Sequence, residues 1–198
     1  MSCRSIFGAA KYTKKSNPFR KLVVYFAVDN LLRLRMRDVV RDMFMNDTEF
    51  RVDPRRDDRL VGELVALWRE SVARSHAFLT DEDIERLVPA VRAAIAGAAR
   101  LTVVECAGRP AAFMGVGAEK IEMLFVDPAL FGCGLGRRLV GMAVGRWNVG
   151  SVDVNEQNPA ARAFYERMGF RVAGRSGSDA QGNDFPILHM RLAAGEEQ

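Results

Sequence analysis

Residues 121–140, IEMLFVDPALFGCGLGRRLV, decide the fold of this chain. The apolar run at 121–126 predicts a buried strand, which Pro128 ends because proline cannot donate to a strand ladder. Three glycines follow within the next turn, at 132, 134 and 136, and an apolar helix begins among them. Glycine allows positive φ and a close approach of backbone N–H groups to a ligand. The segment therefore predicts a strand, a turn and a helix whose first N–H groups form an anion site suited to a phosphate.

The glycine spacing excludes two common nucleotide-binding motifs. The dinucleotide fingerprint G-x-G-x-x-G needs a glycine five residues after the first, and Arg137 and Leu139 occupy those positions when counted from Gly132 and Gly134. The P-loop needs Gly-Lys followed by Ser or Thr, which the chain lacks. The turn is therefore either a structural connection between strand and helix or a phosphate cradle of another type.

The rest of the chain predicts strands that mostly pair as hairpins, with helices between some of them. One helix begins at Asp57 or Asp58, and a second begins at Thr80 in a capping box with Asp83. Further strands are predicted at 50–52, 101–107, 111–117, 151–156, 170–176 and 185–192, and further helices at 134–145 and 159–168. This arrangement favours a mixed α/β (α+β) sheet flanked by helices.

The charge of the chain is concentrated at its amino terminus. Residues 1–44 contain ten lysines and arginines against three aspartates, a net charge of +7, which leaves −3 for residues 45–198 of the total of +4. We expect residues 1–46 to form a basic extension outside the core and residues 47–193 to form the functional domain. The extension is also consistent with a start assigned too early, with an amphipathic helix on a partner or on the domain, and with a membrane-surface helix.

Composition narrows the class of protein further. The three cysteines, Cys3, Cys106 and Cys133, show no paired spacing, so we expect no disulfide framework and no metal site. A reducing cytoplasm is the expected location. The apolar run at 22–28 is too short to span a bilayer. We expect neither a membrane nor a nucleic acid as partner, although the basic amino terminus keeps a nucleic-acid or ribosome-associated protein as a rival interpretation.

Two motifs resemble those of the GNAT superfamily of N-acetyltransferases. Residues 126–140, VDPALFGCGLGRRLV, resemble its acyl-CoA-binding motif, Q/R-x-x-G-x-G, except that Phe131 replaces the opening Gln or Arg. Residues 155–170, NEQNPAARAFYERMGF, are similar to its N-x-x-A-x-x-F-Y-E-x-x-G-F. The resemblance spans roughly residues 47–192, and stretches such as RESVARSHAFL at 69–79 suggest the bacterial YjaB-type subgroup.

The resemblance implies a GNAT acyltransferase fold, with a mostly antiparallel sheet and a splayed central pair of parallel strands. It implies transfer of acetyl from acetyl-CoA to an amine of a small molecule or peptide by direct attack on the thioester, without a metal. A non-catalytic acyl-CoA-binding or regulatory module is the alternative, and the protein would be a monomer or homodimer. The implied acetyl-CoA-binding residues are Leu124, Phe125, Val126, Phe131, Gly132, Cys133, Gly134, Leu135, Gly136, Arg137, Arg138, Asn155 and Asn158.

The resemblance also implies two catalytic residues. Tyr165 would protonate the departing thiolate, because a phenol of pKa about 10 can serve a thiolate of pKa about 8.5. Otherwise it is a packed aromatic residue with its hydroxyl at the surface. Glu122 would take the proton of the amine, directly or through water, unless it pairs with Lys120 on the same strand face. On the predicted helix, Phe164 and Met168 mark the core and Tyr165 lies one residue round.

The remaining candidates have a structural interpretation beside the functional one. Asn158, before a proline, is an ideal helix cap as well as a ligand for the pantetheine arm. Trp68, Ser71 and His76 are candidates for the acceptor pocket, although a histidine at a helix end is often a cap or a partly buried polar group. We expect His189 to be structural.

Overall fold

The computed structural model describes residues 48–180 and 182–193, so the predicted extension at residues 1–46 lies outside the described residues. Seven strands form one sheet in the order β1-β2-β3-β4-β5-β7-β6. All neighbouring strands are antiparallel except β4 and β5, which are parallel. The strands are β1 (Thr48–Val52), β2 (Arg100–Cys106), β3 (Arg109–Val116), β4 (Lys120–Val126), β5 (Ser151–Asn155), β6 (Phe170–Ser176) and β7 (Ile187–Leu192).

Four α-helices are described, α1 (Asp58–Ser75), α2 (Asp81–Gly97), α3 (Leu135–Trp147) and α4 (Pro159–Arg167). Side-chain hydrogen bonds cap the starts of α1 and α2. The Asp57 carboxylate accepts from the Leu60 N–H at 2.9 Å, and Thr80 and Asp83 form the predicted capping box at the start of α2. None of the described helices is long and apolar enough to cross a membrane.

The helices cover the sheet on two faces. One core cluster includes Met114, Leu139 and Tyr165 and lies under α3 and α4. The other includes Trp68 and Phe113 and lies under α1 and α2. Successive side chains of a strand point to opposite faces, which is why the neighbours Phe113 and Met114 belong to different clusters. The predicted mixed α/β sheet flanked by helices is confirmed.

The parallel strands β4 and β5 separate soon after they meet. They pair only at Lys120 with Ser151 and at Ile121 with Val152. Beyond these residues β4 continues along β3 as far as Val126, and β5 continues along β7 as far as Asn155. The carboxyl-terminal halves of β4 and β5 therefore face each other across a gap in the sheet, here called the strand gap.

Candidate active site

The strand gap exposes backbone hydrogen-bonding groups of β4. The Asp127 N–H donates to the Ala111 carbonyl at 2.8 Å, on the side of β3. Because backbone groups alternate in direction along a strand, Val126 and Leu124 direct theirs toward the gap. Buried N–H and C=O groups need partners, so an extended ligand with amide groups can pair with this edge as an added strand.

The glycine turn lies at the end of β4. Gly132 has φ +84° and Gly134 has φ +89°, both in the left-handed region that glycine adopts without a steric penalty. Gly134 caps α3, and no side chain supplies a capping hydrogen bond there. The first N–H groups of the helix therefore lack an intrahelical acceptor and point toward the turn. This arrangement suits a phosphate or pyrophosphate.

The third glycine has a packing role that its place in the motif does not reveal. A Cβ built on Gly136 would lie 3.3 Å from Cζ of Phe164, so the glycine allows α3 to pack closely on α4. This contact holds the glycine turn beside the helix that carries Tyr165. The two arginines that follow, Arg137 and Arg138, are both exposed. The Arg138 guanidinium also lies 4.3 Å from the ring centroid of Phe50, a cation–π contact.

Phe131 and Cys133 are the other two residues of the turn that were predicted to bind acetyl-CoA. Phe131, where the motif has Gln or Arg, is 39% exposed. Cys133 is partly buried, packs against the core under α3 and donates its N–H to the Leu130 carbonyl at 3.1 Å. Its backbone N–H is therefore used within the turn itself.

Tyr165 is the buried residue of α4, with 6% of its surface exposed. Its ring meets those of Phe164 and Phe170 edge-on, at centroid distances of 5.0 and 5.6 Å. Phe164 and Met168, the core residues predicted on this helix, are only partly buried. Burial raises the pKa of the Tyr165 phenol well above its ordinary range, so the hydroxyl stays protonated at neutral pH. The alternative of a packed ring with a surface hydroxyl therefore does not describe this side chain.

Glu122 lies at an irregularity of β4. The register passes from Val116–Ile121 to Gly115–Met123, so Glu122 is an extra residue on its strand, as in a β-bulge. Its carboxylate lies beside Gly117, where an added Cβ would come within 2.6 Å of Oε1. Lys120 pairs with Asp153 at 2.9 Å instead of with Glu122. The side chain is exposed, and its role as a base stays a prediction.

A cavity of about 290 Å³ lies on the other face of the sheet, between α1, α2 and the ends of β5 and β7. Its wall is mostly apolar and includes Trp68 and Phe125, and the polar residues of its lining are His76, Asn155 and Asp179. Two of the three residues predicted for the acceptor pocket, Trp68 and His76, line it. Ser71 is buried but does not line it.

Two asparagines lie where β5 meets α4. The Asn158 side-chain oxygen accepts from the Ala161 N–H at 3.0 Å, which caps α4 as predicted. The Asn158 amide nitrogen lies 3.5 Å from Nε2 of His76. The Asn155 side-chain oxygen accepts from the Gln157 N–H at 2.8 Å. Both side-chain oxygens are therefore occupied locally, which leaves the amide N–H groups for a ligand.

The two histidines differ in surroundings. His76 is the C-cap of α1, its Nδ1 lies 2.8 Å from the Ser75 hydroxyl, and burial lowers its pKa. His189 bridges strands, with Nδ1 2.8 Å from Asp153 and Nε2 2.7 Å from the Ser176 hydroxyl. Within the described part of the chain, no cluster of three or more His, Cys, Asp or Glu side chains could hold a metal ion.

Known proteins share this architecture. Residues 43–194 match the family model described as an acetyltransferase (GNAT) domain. The chain is 38% identical over 128 residues to the peptidyl-lysine N-acetyltransferase YjaB of Escherichia coli, covering 65% of this chain and 87% of that protein. The solution structure of apo-form YjaB from E. coli matches with a TM-score of 0.66 at 34% identity, covering 75% of this chain and 99% of that one. The paia N-acetyltransferase of Thermoplasma acidophilum, in complex with coenzyme A, shares the fold with a TM-score of 0.53 at 16% identity, covering 73% and 99%. The chain therefore belongs to the GNAT family, as its two motifs predicted, and is an acyltransferase of the YjaB type, as stretches such as residues 69–79 predicted.

Proposed function

We propose that this protein transfers the acetyl group of acetyl-CoA to the side-chain amine of a lysine in a peptide or protein. The observation that supports this most directly is the strand gap, which opens between the glycine turn and the apolar cavity. The similarity to a protein named as a peptidyl-lysine N-acetyltransferase supports lysine over other amines. A cytoplasmic location and a monomeric or homodimeric state remain predictions.

The described residues fit acetyl-CoA on three counts. The turn offers N–H groups at Gly134, Leu135 and Gly136 without a side-chain cap, which suit the pyrophosphate. The β4 edge at Leu124 and Val126 suits the amides of the pantetheine arm. The amide nitrogens of Asn155 and Asn158 border the same gap. When bound, acetyl-CoA supplies an acyl group activated as a thioester.

The acceptor side of the site is the cavity. Its apolar wall, with Trp68 and Phe125, suits the four methylene groups of a lysine side chain, which bury readily against apolar surface while the charged end stays among polar groups. His76 and Asn155 provide polar groups in the lining. The amine would thus approach the strand gap from the face covered by α1 and α2.

Tyr165 would act from the opposite face. Its side chain belongs to the core cluster under α3 and α4, on the face of the sheet away from the cavity. A phenol whose pKa is raised by burial is a poor acid for complete proton transfer but a reliable hydrogen-bond donor. We therefore assign Tyr165 the stabilisation of the sulfur as negative charge develops on it.

The test is turnover by the full chain with acetyl-CoA and a short lysine peptide. We expect release of the coenzyme A thiol together with a peptide acetylated at the lysine side chain, detected by mass spectrometry. A peptide with arginine in place of lysine is the matched control. Binding of acetyl-CoA in calorimetry without turnover of the peptide would contradict the lysine acceptor and favour a different amine or the non-catalytic alternative.

A further inference from the structure

We propose that His76 is the general base of the reaction, taking a proton from the acceptor amine at Nε2, and that Ser75 is the positioning residue that keeps Nε2 free of a proton. The inference rests on the proposed function, since it names the group that prepares the amine. It begins from a side-chain hydrogen-bond chain at the end of α1.

The tautomer of His76 follows from proton counting. The Ser75 hydroxyl donates its one proton to the Ser71 carbonyl, at 2.7 Å. It can therefore only accept at its 2.8 Å contact with Nδ1 of His76, so Nδ1 carries the proton. A neutral imidazole has one N–H, which leaves Nε2 with a lone pair.

The contact between His76 and Asn158 supports the same tautomer. The side-chain oxygen of Asn158 is held by the Ala161 N–H, so the amide nitrogen is the end that faces Nε2 of His76, at 3.5 Å. A donor therefore faces the lone pair. The long distance indicates a weak hydrogen bond, which an amine entering the cavity can replace.

The surroundings favour a neutral imidazole at pH 7. Burial lowers the pKa of His76, and its ring packs edge-on against Phe78 at 5.3 Å. Asp179 is the other titratable residue in the described lining of the cavity, and its carboxylate accepts hydrogen bonds from Asn183. A lysine amine has an ordinary pKa of about 10.4, so it enters protonated and needs such a base.

The position of His76 also divides the chemistry between the two faces of the sheet. His76 lines the cavity on the α1 and α2 face, whereas Tyr165 lies in the core on the α3 and α4 face. The contact with Asn158, the cap of α4, places His76 at the end of the strand gap. Glu122, the base predicted from the sequence, does not line the cavity.

The proton balance is complete without another reactant. The ammonium gives one proton to Nε2 of His76, which later releases it to solvent. The neutral amine forms the C–N bond as the C–S bond breaks, and the electron pair stays on sulfur. The sulfur takes its proton from solvent while the Tyr165 hydroxyl donates a hydrogen bond to it, and the new amide nitrogen loses its second proton to solvent. One proton is released for each acetyl group transferred.

The test compares His76→Gln with His189→Gln, the chain's other histidine, in the full-length protein with a lysine peptide. We expect His76→Gln to lower kcat/KM at pH 7 by about 10²–10⁴-fold and to leave the affinity for acetyl-CoA unchanged in calorimetry. We expect His189→Gln to stay within about twofold of the unchanged protein in kcat/KM, since His189 does not line the cavity.

A peptide with an aminooxy analogue of lysine separates a base from a structural role, because its amine is already unprotonated at pH 7. With this peptide, the kcat/KM of His76→Gln should be within about tenfold of that of the unchanged protein, whereas the lysine peptide should show the full loss. An equal loss with both peptides, or a His76→Gln variant that keeps its activity toward lysine, would overturn the assignment. If the fall of kcat/KM at acidic pH disappeared in Glu122→Gln and persisted in His76→Gln, the general base would be Glu122 and not His76.

The tautomer can be measured without turnover. Nitrogen NMR of the full chain should show His76 neutral at pH 7 with its proton on Nδ1, and Ser75→Ala should increase the Nε2–H form and lower kcat/KM by about fivefold, the equivalent of one hydrogen bond. A charged ring, or an Nε2–H tautomer in the unchanged protein, would overturn the proposal. No turnover of either peptide by the unchanged protein would refute the lysine acceptor, and the base assignment with it.

Discussion

Tyr165→Phe should separate activity from stability. The ring packs between Phe164 and Phe170, and the variant keeps all of that contact. The hydroxyl is the one group that the variant removes, and the side chain is only 6% exposed. We therefore expect the free energy of unfolding to change by no more than about 1 kcal/mol.

Catalysis should respond far more strongly than stability. If the hydroxyl stabilises the sulfur only as the C–S bond breaks, its loss falls on kcat and leaves the affinity for acetyl-CoA nearly unchanged. The loss of one preorganised donor of this kind is about 10²–10³-fold. Release of coenzyme A would be followed with a thiol reagent under single-turnover conditions, and the affinity by calorimetry.

Thr102→Val is the matched control for this experiment. Thr102 is fully buried in β2, and its hydroxyl has no hydrogen-bond partner among the described residues. The substitution Thr102→Val removes a buried hydroxyl that lies away from the strand gap, so kcat should not change. A Tyr165→Phe variant with kcat within a few-fold of the unchanged protein, while the chemical step limits the rate, would refute the role of Tyr165 at the sulfur.

Three further outcomes follow from the fold and the glycine turn. Thr102→Val should raise the free energy of unfolding by about 1 kcal/mol and the melting temperature by about 2–4 °C, and a lower melting temperature would show that the hydroxyl has a partner. Gly134→Val should lose acetyl-CoA binding in calorimetry, because a β-branched residue is strained at φ +89° and its side chain occupies the approach to the N–H groups, whereas Gly141→Ala in the same helix should bind normally. A chain that starts at Met45, without the basic segment at 1–44, should fold and keep its affinity for acetyl-CoA, and an insoluble product would place that segment in the core.

The fold could be predicted because its signals are local. The strand, glycine turn and helix at 121–140 follow from hydrophobic period and glycine spacing, and the caps at Asp57 and Thr80 bind N–H groups only three residues away. Such patterns depend on backbone geometry within one or two turns, which the sequence alone specifies. The resemblance of the two motifs to those of the GNAT superfamily then predicted the splayed pair of parallel strands between them.

The partners of the site residues depend on the tertiary structure. Lys120 pairs with Asp153 because β4 and β5 are neighbours, although the two residues are 33 positions apart. The bulge at Glu122 is set by the register of β4 on β3, which no local pattern reveals. Tyr165 became the buried residue of α4 through the way that helix packs on the sheet.

Local patterns along the chain suffice to predict the glycine turn, the capped helices and the candidate residues, because each depends on hydrogen bonds and side-chain periods over a few residues. Which of the candidates come into contact depends on tertiary packing. His76 and Asn158 are 82 positions apart, and they come within 3.5 Å only because α1 ends and α4 begins at the same strand gap. The choice of His76 over Glu122 as the proposed base rests on that meeting, since burial and hydrogen-bond direction are properties of the packed chain.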